Sequence, residues 1–532
     1  MLEQELISQI AEYMNRLQKN VVLRTNNESH EKKEELLEML REIASTSEKL
    51  TLDVGNYNYR SGITFEVLNE GSSQGILFSG VPGGHEFNSL ILAILQTGGM
   101  PLKLDDSLQS IIKNIPQNLK FETVVSLSCH NCPEVVQALN QISVLNSNVS
   151  NEMIDGGLFP ELIAERKIQG VPAIYLNGKV FANGKLEISE IIDKIKELYP
   201  DSDHPENNEI ISSDEVFDVA IIGGGPAGIS SAIYSARKGL NVLMLADRVG
   251  GQVKDTMDIE NLISVLHTTG PKLVQSMEDH LSLYNVKIRK NLKVKSIEKG
   301  EEKVIHLTTG EKIYSKTIII ASGAKWRELG VPGEKENIGN GVAYCPHCDG
   351  PFFKDKDVIV VGGGNSGVEA ALDLSGIVKK VTLVEFLPEL KADKILVDRA
   401  KKSNNIEVVT QVQSKIIETE DGKVSGLRYV NRESGEEKFI KTDGIFIQIG
   451  LIPNSSFAKD VLELTKFGEI IIDEKCKTSA EGIFACGDVT TTPYKQIIIA
   501  MGEGAKAALS AFEYILMHTS SKESNQKVLA GV

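Results

Sequence analysis

Two copies of one glycine-rich turn constrain the fold of this chain more than any other feature. Phe217–Gly228 reads Phe-Asp-Val-Ala-Ile-Ile-Gly-Gly-Gly-Pro-Ala-Gly, and Val358–Gly367 reads Val-Ile-Val-Val-Gly-Gly-Gly-Asn-Ser-Gly. Each is an apolar strand that runs through G-x-G-x-x-G into a helix. The first glycine (Gly223, Gly362) permits a tight turn, and the second (Gly225, Gly364) lets a pyrophosphate approach the backbone. The third (Gly228, Gly367) lets helix and strand pack closely. The helix N-termini, at Pro226-Ala227 and Asn365-Ser366, then offer free N–H groups and a dipole to the phosphates. Each unit closes on an acidic residue, Asp247 after Leu243-Met-Leu-Ala and Glu385 after Val381-Thr-Leu-Val, where a carboxylate accepts from ribose hydroxyls. One such turn is a weak signal, since structural glycine turns between strand and helix are frequent. Two in one chain, each with its strand and its acid, predict two dinucleotide sites, one for a bound flavin and one for a mobile nicotinamide.

A further strand, Gly482-Ile-Phe-Ala-Cys486, ends in Gly487-Asp488 and precedes an apolar helix from about Ile497. An acid there suits the ribityl and pyrophosphate region of FAD. It lies beyond the second turn, so the first dinucleotide domain is expected to be interrupted by the second, at about 330–449.

The cysteines carry the next constraint. Six in 532 residues are too few for a disulfide scaffold, yet four form two Cys-x-x-Cys pairs, Cys129/Cys132 and Cys345/Cys348. At that spacing one thiolate attacks a substrate disulfide and its neighbour resolves the mixed disulfide. His347 is placed to favour a thiolate, and Asp349 to exchange protons with a departing one. A four-cysteine zinc site is the alternative, but zinc modules set their pairs about 15–20 residues apart and these are separated by over 200. No metal is expected. Cys476 and Cys486 stand alone and read as buried structural cysteines. Glu86, in Gly83-Gly-His-Glu-Phe87, reads from the residues as a carboxylate in the first turn of a helix.

Upstream, residues 1–100 read as helix, strand, strand, helix. Helical periodicity runs through Leu6–Leu17, Leu36–Ile43 and Phe87–Leu95, with extended runs at Ile63–Leu68 and Ile76–Phe78. Residues 120–197 repeat a similar order. A strand from Phe121 ends at Cys129-His-Asn-Cys132, Pro133 opens a helix, and Val171–Leu176 runs into an Asn177-Gly178 hairpin turn. The two halves are expected to be a diverged duplication with cysteines only in the second. Residues 199–214 are acidic and proline-containing, the composition of a solvated linker.

The net charge of −16 opposes non-specific binding to nucleic acid. No run of 18 apolar residues predicts a membrane span, and the acidic Met1–Glu5 lacks the character of a secretory signal. A cytoplasmic location is the expectation.

Tyr344–Gly350, Gly362–Ala371, Gly487-Asp488 and Pro493–Ala500 together resemble bacterial thioredoxin reductases. With Ser128-Cys-His-Asn-Cys-Pro133 and the tandem N-terminal extension, residues 1–525 resemble the flavoprotein (F) component of alkyl hydroperoxide reductases. The resemblance implies an α/β chain with tandem thioredoxin-like folds (1–105 and 106–198) and the linker 199–214. Two Rossmann-like domains of thioredoxin reductase type follow: an FAD domain (215–329 and 450–525) and an NAD domain (330–449). It implies a cis Pro172 facing Cys129/Cys132, with Cys129 attacking, Cys132 resolving and Glu86 as a buried acid beside them. It also implies that Cys348 faces the flavin and that Cys345 exchanges with the N-terminal pair. Gly250, Gly251, Gln252, Asn261, Gly323, Ala324, Gln496 and Ile497 fall where the family lines its FAD site.

NADPH-specific thioredoxin reductases carry His-Arg-Arg after the second ribose strand. Here the strand ends Val384-Glu385-Phe386-Leu387-Pro388, and a carboxylate at this place repels a 2′-phosphate, so NADH is expected. The implied route runs from NADH through FAD, Cys345/Cys348 and Cys129/Cys132 to a two-cysteine peroxiredoxin, the peroxidase (C) component of alkyl hydroperoxide reductase, in a homodimer. A reductase of a thioredoxin- or glutaredoxin-like protein would use the same internal chemistry. A flavin-binding redox sensor without turnover is the alternative of another class.

Overall fold

In the computed structural model the chain divides into two compact units, Met1–Glu209 and Ile210–Val532. The structure describes residues 3–129, 131–166, 168, 171–199, 215–256, 259–338, 340–420 and 423–529. Of these, the side chains of Asp255, His347, Cys348 and residues 519–529 are excepted. All but the first residue of the expected linker 199–214 falls outside that description.

The first unit is built on one eight-stranded sheet. Its strands are β1 (Val21–Asn26), β2 (Leu50–Gly55), β3 (Thr64–Asn69), β4 (Ser72–Ser79), β5 (Leu119–Val125), β6 (Val149–Asp155), β7 (Ala173–Leu176) and β8 (Lys179–Asn183). Their order is β2-β1-β3-β4-β6-β5-β7-β8. Each half places its second strand parallel beside its first and its third and fourth antiparallel on the other side. The duplication read in the sequence is therefore a repeat of topology. The halves join where β4 pairs in parallel with β6, from Ile76↔Asn151 to Ser79↔Ile154. They also share a core, because Phe65, Ile76 and Phe78 of the first half pack in one cluster with Val125, Cys132, Val136 and Met153 of the second.

Two strands in the first hundred residues, β1 and β2, went unread in the sequence. Both are six residues long and half polar, and their cross-strand Arg24–Asp53 ion pair, at 2.9 Å, has no signature in a local window. A helix at Asp106–Lys113 was also missed; Asp105 caps it by accepting from the Ser107 N–H.

The second unit contains a mostly parallel sheet and, inserted into it, a second one. The first sheet runs Val286–Lys290, Val242–Ala246, Val216–Ile222, Lys312–Ile320, Lys303–Leu307, Val294–Glu298. The strand Ile483–Ala485 adds in parallel to the far end of Lys312–Ile320, with Ile318↔Ile483 and Ile320↔Ala485 in register. Between these contributions the chain forms a five-stranded parallel sheet, ordered Val342–Ala343, Gly444–Ile447, Asp357–Val361, Lys380–Val384, Ile406–Val409. A three-stranded antiparallel sheet spans Val412–Lys441 beside it. The outgoing and returning segments pair antiparallel, Ala324–Trp326 against Leu451–Pro453. Among the described residues no helix is long and apolar enough to cross a membrane.

Candidate functional site

The first glycine turn has the geometry of a phosphate cradle. Gly223 has φ +122°, and a Cβ there would lie 2.1 Å from the carbonyl oxygen of Ala321; one on Gly228 would lie 2.0 Å from that of Gly223. Only glycine fits either place. At Gly225, by contrast, a Cβ would meet no atom within 4 Å, and the helix Pro226–Arg237 starts immediately after it. Open space at a helix N-terminus is what a pyrophosphate needs.

Other expected residues gather around this turn. Gly250 and Gly251 take positive φ, and Gly251 lies against Gly225. Gln252 donates to the Ala324 carbonyl, and Asn261 donates to Gln496 at 3.2 Å. Gly487 lies against Ala227, so the returning segment reaches the cradle. Burial raises the Asp488 carboxyl above its ordinary range, and Lys495 opposes that shift. Asp247 ends its strand with Lys293 at 3.9 Å.

The second turn repeats the arrangement. A Cβ on Gly362 would approach the Gln448 carbonyl to 2.3 Å and one on Gly367 the Gly362 carbonyl to 1.8 Å, while Gly364 faces open space. The Glu385 carboxylate accepts from the N–H groups of Gly363 and Leu387, the latter at 2.7 Å. Asn365 exchanges hydrogen bonds with Asp393, at 2.8 and 3.0 Å, and Ser366 is exposed beside it.

The two cysteine pairs lie in different units. Cys129 is half-buried and 3.8 Å from the carbonyl of Val171, whose bond to Pro172 is cis; Cys132 is fully buried at the start of the helix Cys132–Leu145. Hydrogen bonding to Cys129, then burial, holds the Cys132 thiol far above the ordinary cysteine range. Glu86 is also fully buried, and neither carboxylate oxygen reaches a partner at hydrogen-bond geometry. Burial pushes its pKa up to about 7, a rise that Ser89 opposes and Cys129 adds to. Cys345 is disulfide-bonded and half-buried, and the Asp349 N–H donates to its carbonyl at 3.0 Å. The side chains of His347 and Cys348 lie outside the described residues. Cys476 and Cys486 are both fully buried, as expected of structural cysteines.

The pyridine nucleotide-disulphide oxidoreductase family matches residues 217–504, more than half the chain, and a thioredoxin domain family matches 120–197. The alkyl hydroperoxide reductase F protein of Pseudomonas aeruginosa is 46% identical over 98% of this chain and all of that protein. The Escherichia coli protein of the same name is 46% identical over 97% of this chain and 99% of its own length. A Bacillus subtilis protein named NADH dehydrogenase is 45% identical with the same two coverages. A thioredoxin reductase from Streptococcus pyogenes, a solved structure 39% identical, aligns along its whole length with 57% of this chain at TM-score 0.55. The chain belongs to the family of alkyl hydroperoxide reductase F proteins. It is a pyridine nucleotide-disulphide oxidoreductase that uses FAD and a nicotinamide nucleotide.

The packing around the first turn gives a purpose to a residue the sequence reading passed over. In this family member the helix from Ile497 packs on the first turn's helix so closely that a Cβ on Gly504 would lie 2.2 Å from the Ala227 carbonyl. Ser231 donates to the Gly504 carbonyl at 3.0 Å, and Ser230 to that of Met501 at 2.7 Å. The signal was Gly502-x-Gly504 inside an otherwise apolar helix, which marks close backbone approach.

Proposed function

We propose that this enzyme passes electrons from NADH, through FAD and the Cys345/Cys348 and Cys129/Cys132 pairs, to the disulfide of a two-cysteine peroxiredoxin, the peroxidase component of alkyl hydroperoxide reductase. The observation that carries this reading is the first unit. It sets a half-exposed cysteine beside a buried one and a buried carboxyl, on a chain that matches alkyl hydroperoxide reductase F proteins from end to end. A cytoplasmic homodimer, with the boundaries set out above, belongs to the same proposal.

FAD, when bound, supplies a carrier that takes two electrons from a nicotinamide and gives them to a disulfide. The chain's own residues do the rest. Gly223, Gly225, Gly228, Gly250, Gly251, Gly323, Ala324, Gly487 and Asp488 hold the flavin nucleotide; Gly362, Gly364, Gly367 and Glu385 hold the nicotinamide nucleotide. Cys345/Cys348 is reduced to a dithiol and in turn reduces Cys129/Cys132, two electrons at each transfer. The Cys129 thiolate attacks one sulfur of the partner's disulfide, forming a mixed disulfide and releasing the partner's other sulfur as a thiolate. Cys132 then loses its proton, attacks Cys129 and expels the second partner thiolate, which closes the Cys129–Cys132 disulfide. That second attack needs the Cys132 thiolate, whose formation burial opposes. Glu86, poised near neutrality, is the base for it, and Asp349 plays the corresponding part beside Cys345.

With purified FAD-loaded protein, the peroxiredoxin should be reduced faster than thioredoxin- or glutaredoxin-like acceptors in an NADH-coupled assay. Faster reduction of either competitor would overturn the choice of partner. Glu86 gives a second expectation. Transfer from the reduced N-terminal pair should rise with pH through about 7, and Glu86→Gln should remove that inflection. The same shift carries a stability cost of opposite sense. A carboxyl whose pKa rises on folding, from 4.5 to about 7, contributes stability that is fully present below 4.5 and lost as pH rises through about 7. The loss is about 3 kcal/mol. Glu86→Gln should therefore make the first unit more resistant to denaturant at pH 8 while slowing transfer; an unchanged pH profile would remove Glu86 from the mechanism.

A further inference from the structure

On the segment between the strands Ala324–Trp326 and Val342–Ala343 lies a buried carboxylate that the electron route above does not use. Glu334 is fully buried, and its oxygens accept from the N–H groups of Leu329 at 2.7 Å, Gly330 at 2.6 Å and Val331 at 3.4 Å. The fourth donor is the Tyr344 hydroxyl, at 2.7 Å, one residue before Cys345. Residues 329–331 lie on the outgoing connection, just past the strand Ala324–Trp326.

Tyr344 is held at two further points. Its ring stacks on Trp326 of that same strand, with centroids 6.0 Å apart and planes at 22°. Its carbonyl accepts from Gln448 Nε2 at 2.6 Å, and Gln448 lies on the returning connection between Ile447 and the strand Leu451–Pro453. The two connections are bonded to each other as well, through Arg327 N–H to Gly450 carbonyl at 3.0 Å. Ring, hydroxyl and carbonyl of one residue thus touch both segments that join the sheets.

We propose that Tyr344, anchored by Glu334, is a positioning residue that registers the Cys345 segment on these two connections. The inference rests on the reductase reading above and adds to it the device that sets where the redox cysteines are presented. The physical argument is one of precision. Thiol exchange needs sulfur to meet sulfur in line, and a shift of about 1 Å in a supporting group is enough to cost rate. The cysteines stand at a single helical turn, Pro346–Asp349, which is too short to fix its own position. A buried carboxyl group that accepts from four donors is a strong local anchor, because hydrogen bonds gain most where water is excluded.

The test uses the full-length, FAD-loaded protein and the variants Tyr344→Phe, Glu334→Gln and both together. Ferricyanide takes electrons without the cysteines, whereas an aromatic disulfide such as dithiobis-nitrobenzoate takes them only after Cys345/Cys348. NADH–ferricyanide activity should stay within about twofold of wild type while NADH–disulfide activity falls at least about tenfold in each single variant. The double variant should be no worse than the poorer single, since both remove one contact. Amide exchange should quicken at Leu329 and Gly330 in Glu334→Gln and stay unchanged at Ile319 and Ile320. Wild-type disulfide rates in both variants, losses that simply add, or a parallel fall with ferricyanide would each overturn the proposal. A wild type that reduces ferricyanide but no disulfide overturns the reductase reading itself, and the exchange rates then still decide whether Glu334 ties the loop.

Discussion

A chain carrying Cys129→Ser with Cys132→Ser should reduce the peroxiredoxin roughly a hundredfold more slowly than wild type, and keep its NADH–ferricyanide activity. The reason is contact. Electrons cross between disulfides only through direct attack of sulfur on sulfur, so every station must dock against the next. The first unit carries its pair in a docking-ready form: Cys129 reaches the surface beside Val171, while Cys132 is closed off within the core. Cys345 instead closely follows the strand Val342–Ala343 of the five-stranded sheet and is half-buried. Covalent attachment of the first unit raises the effective concentration of its disulfide at that pair. Removing residues 1–200 should have the same effect as the double serine variant. The check is a coupled peroxide assay and a ferricyanide assay on one preparation; wild-type transfer by the double variant would take the N-terminal pair out of the route.

NADH should exceed NADPH by at least about tenfold in kcat/KM, about 1.4 kcal/mol. Glu385 stands at the end of the second ribose strand, and its oxygens are oriented by the N–H groups of Gly363 and Leu387. A carboxylate fixed in this way accepts from a free 2′-hydroxyl and repels a 2′-phosphate. Glu385→Arg should narrow the gap by raising the KM for NADH and lowering that for NADPH. Initial rates over a range of both nucleotides measure it, and equal use of the two by the wild type would refute the role of this carboxylate.

The two glycine turns were legible because their geometry is carried by the backbone. A glycine with positive φ or a Cβ-sized gap leaves its mark directly on the sequence, and Gly223, Gly228, Gly362 and Gly367 occupy the crowded places where only glycine fits. The interruption of the first sheet was legible for a related reason, since a strand ending in Gly487-Asp488 was read with the first turn and lay beyond the second. What was not legible depends on contacts between distant segments. The strands β1 and β2 are short and half polar, and they become strands by pairing with each other and with β3. The single sheet that unites both thioredoxin-like halves depends on β4 meeting β6 across more than seventy residues. Glu86 read as an ordinary first-turn carboxylate because burial is not visible locally; that burial pushes its pKa up to about 7. Glu334 went unread for the same reason, as its four donors come from a loop and from a tyrosine ten residues away.

The most direct test of the proposed route is to trap its last covalent step. A Cys132→Ser variant, reduced and mixed with the oxidised peroxiredoxin, can form the mixed disulfide but cannot resolve it. Non-reducing electrophoresis and peptide mass spectrometry of the mixture should show a one-to-one adduct joined through Cys129. An adduct joined through Cys345, or no adduct while the wild type turns over, would contradict the account.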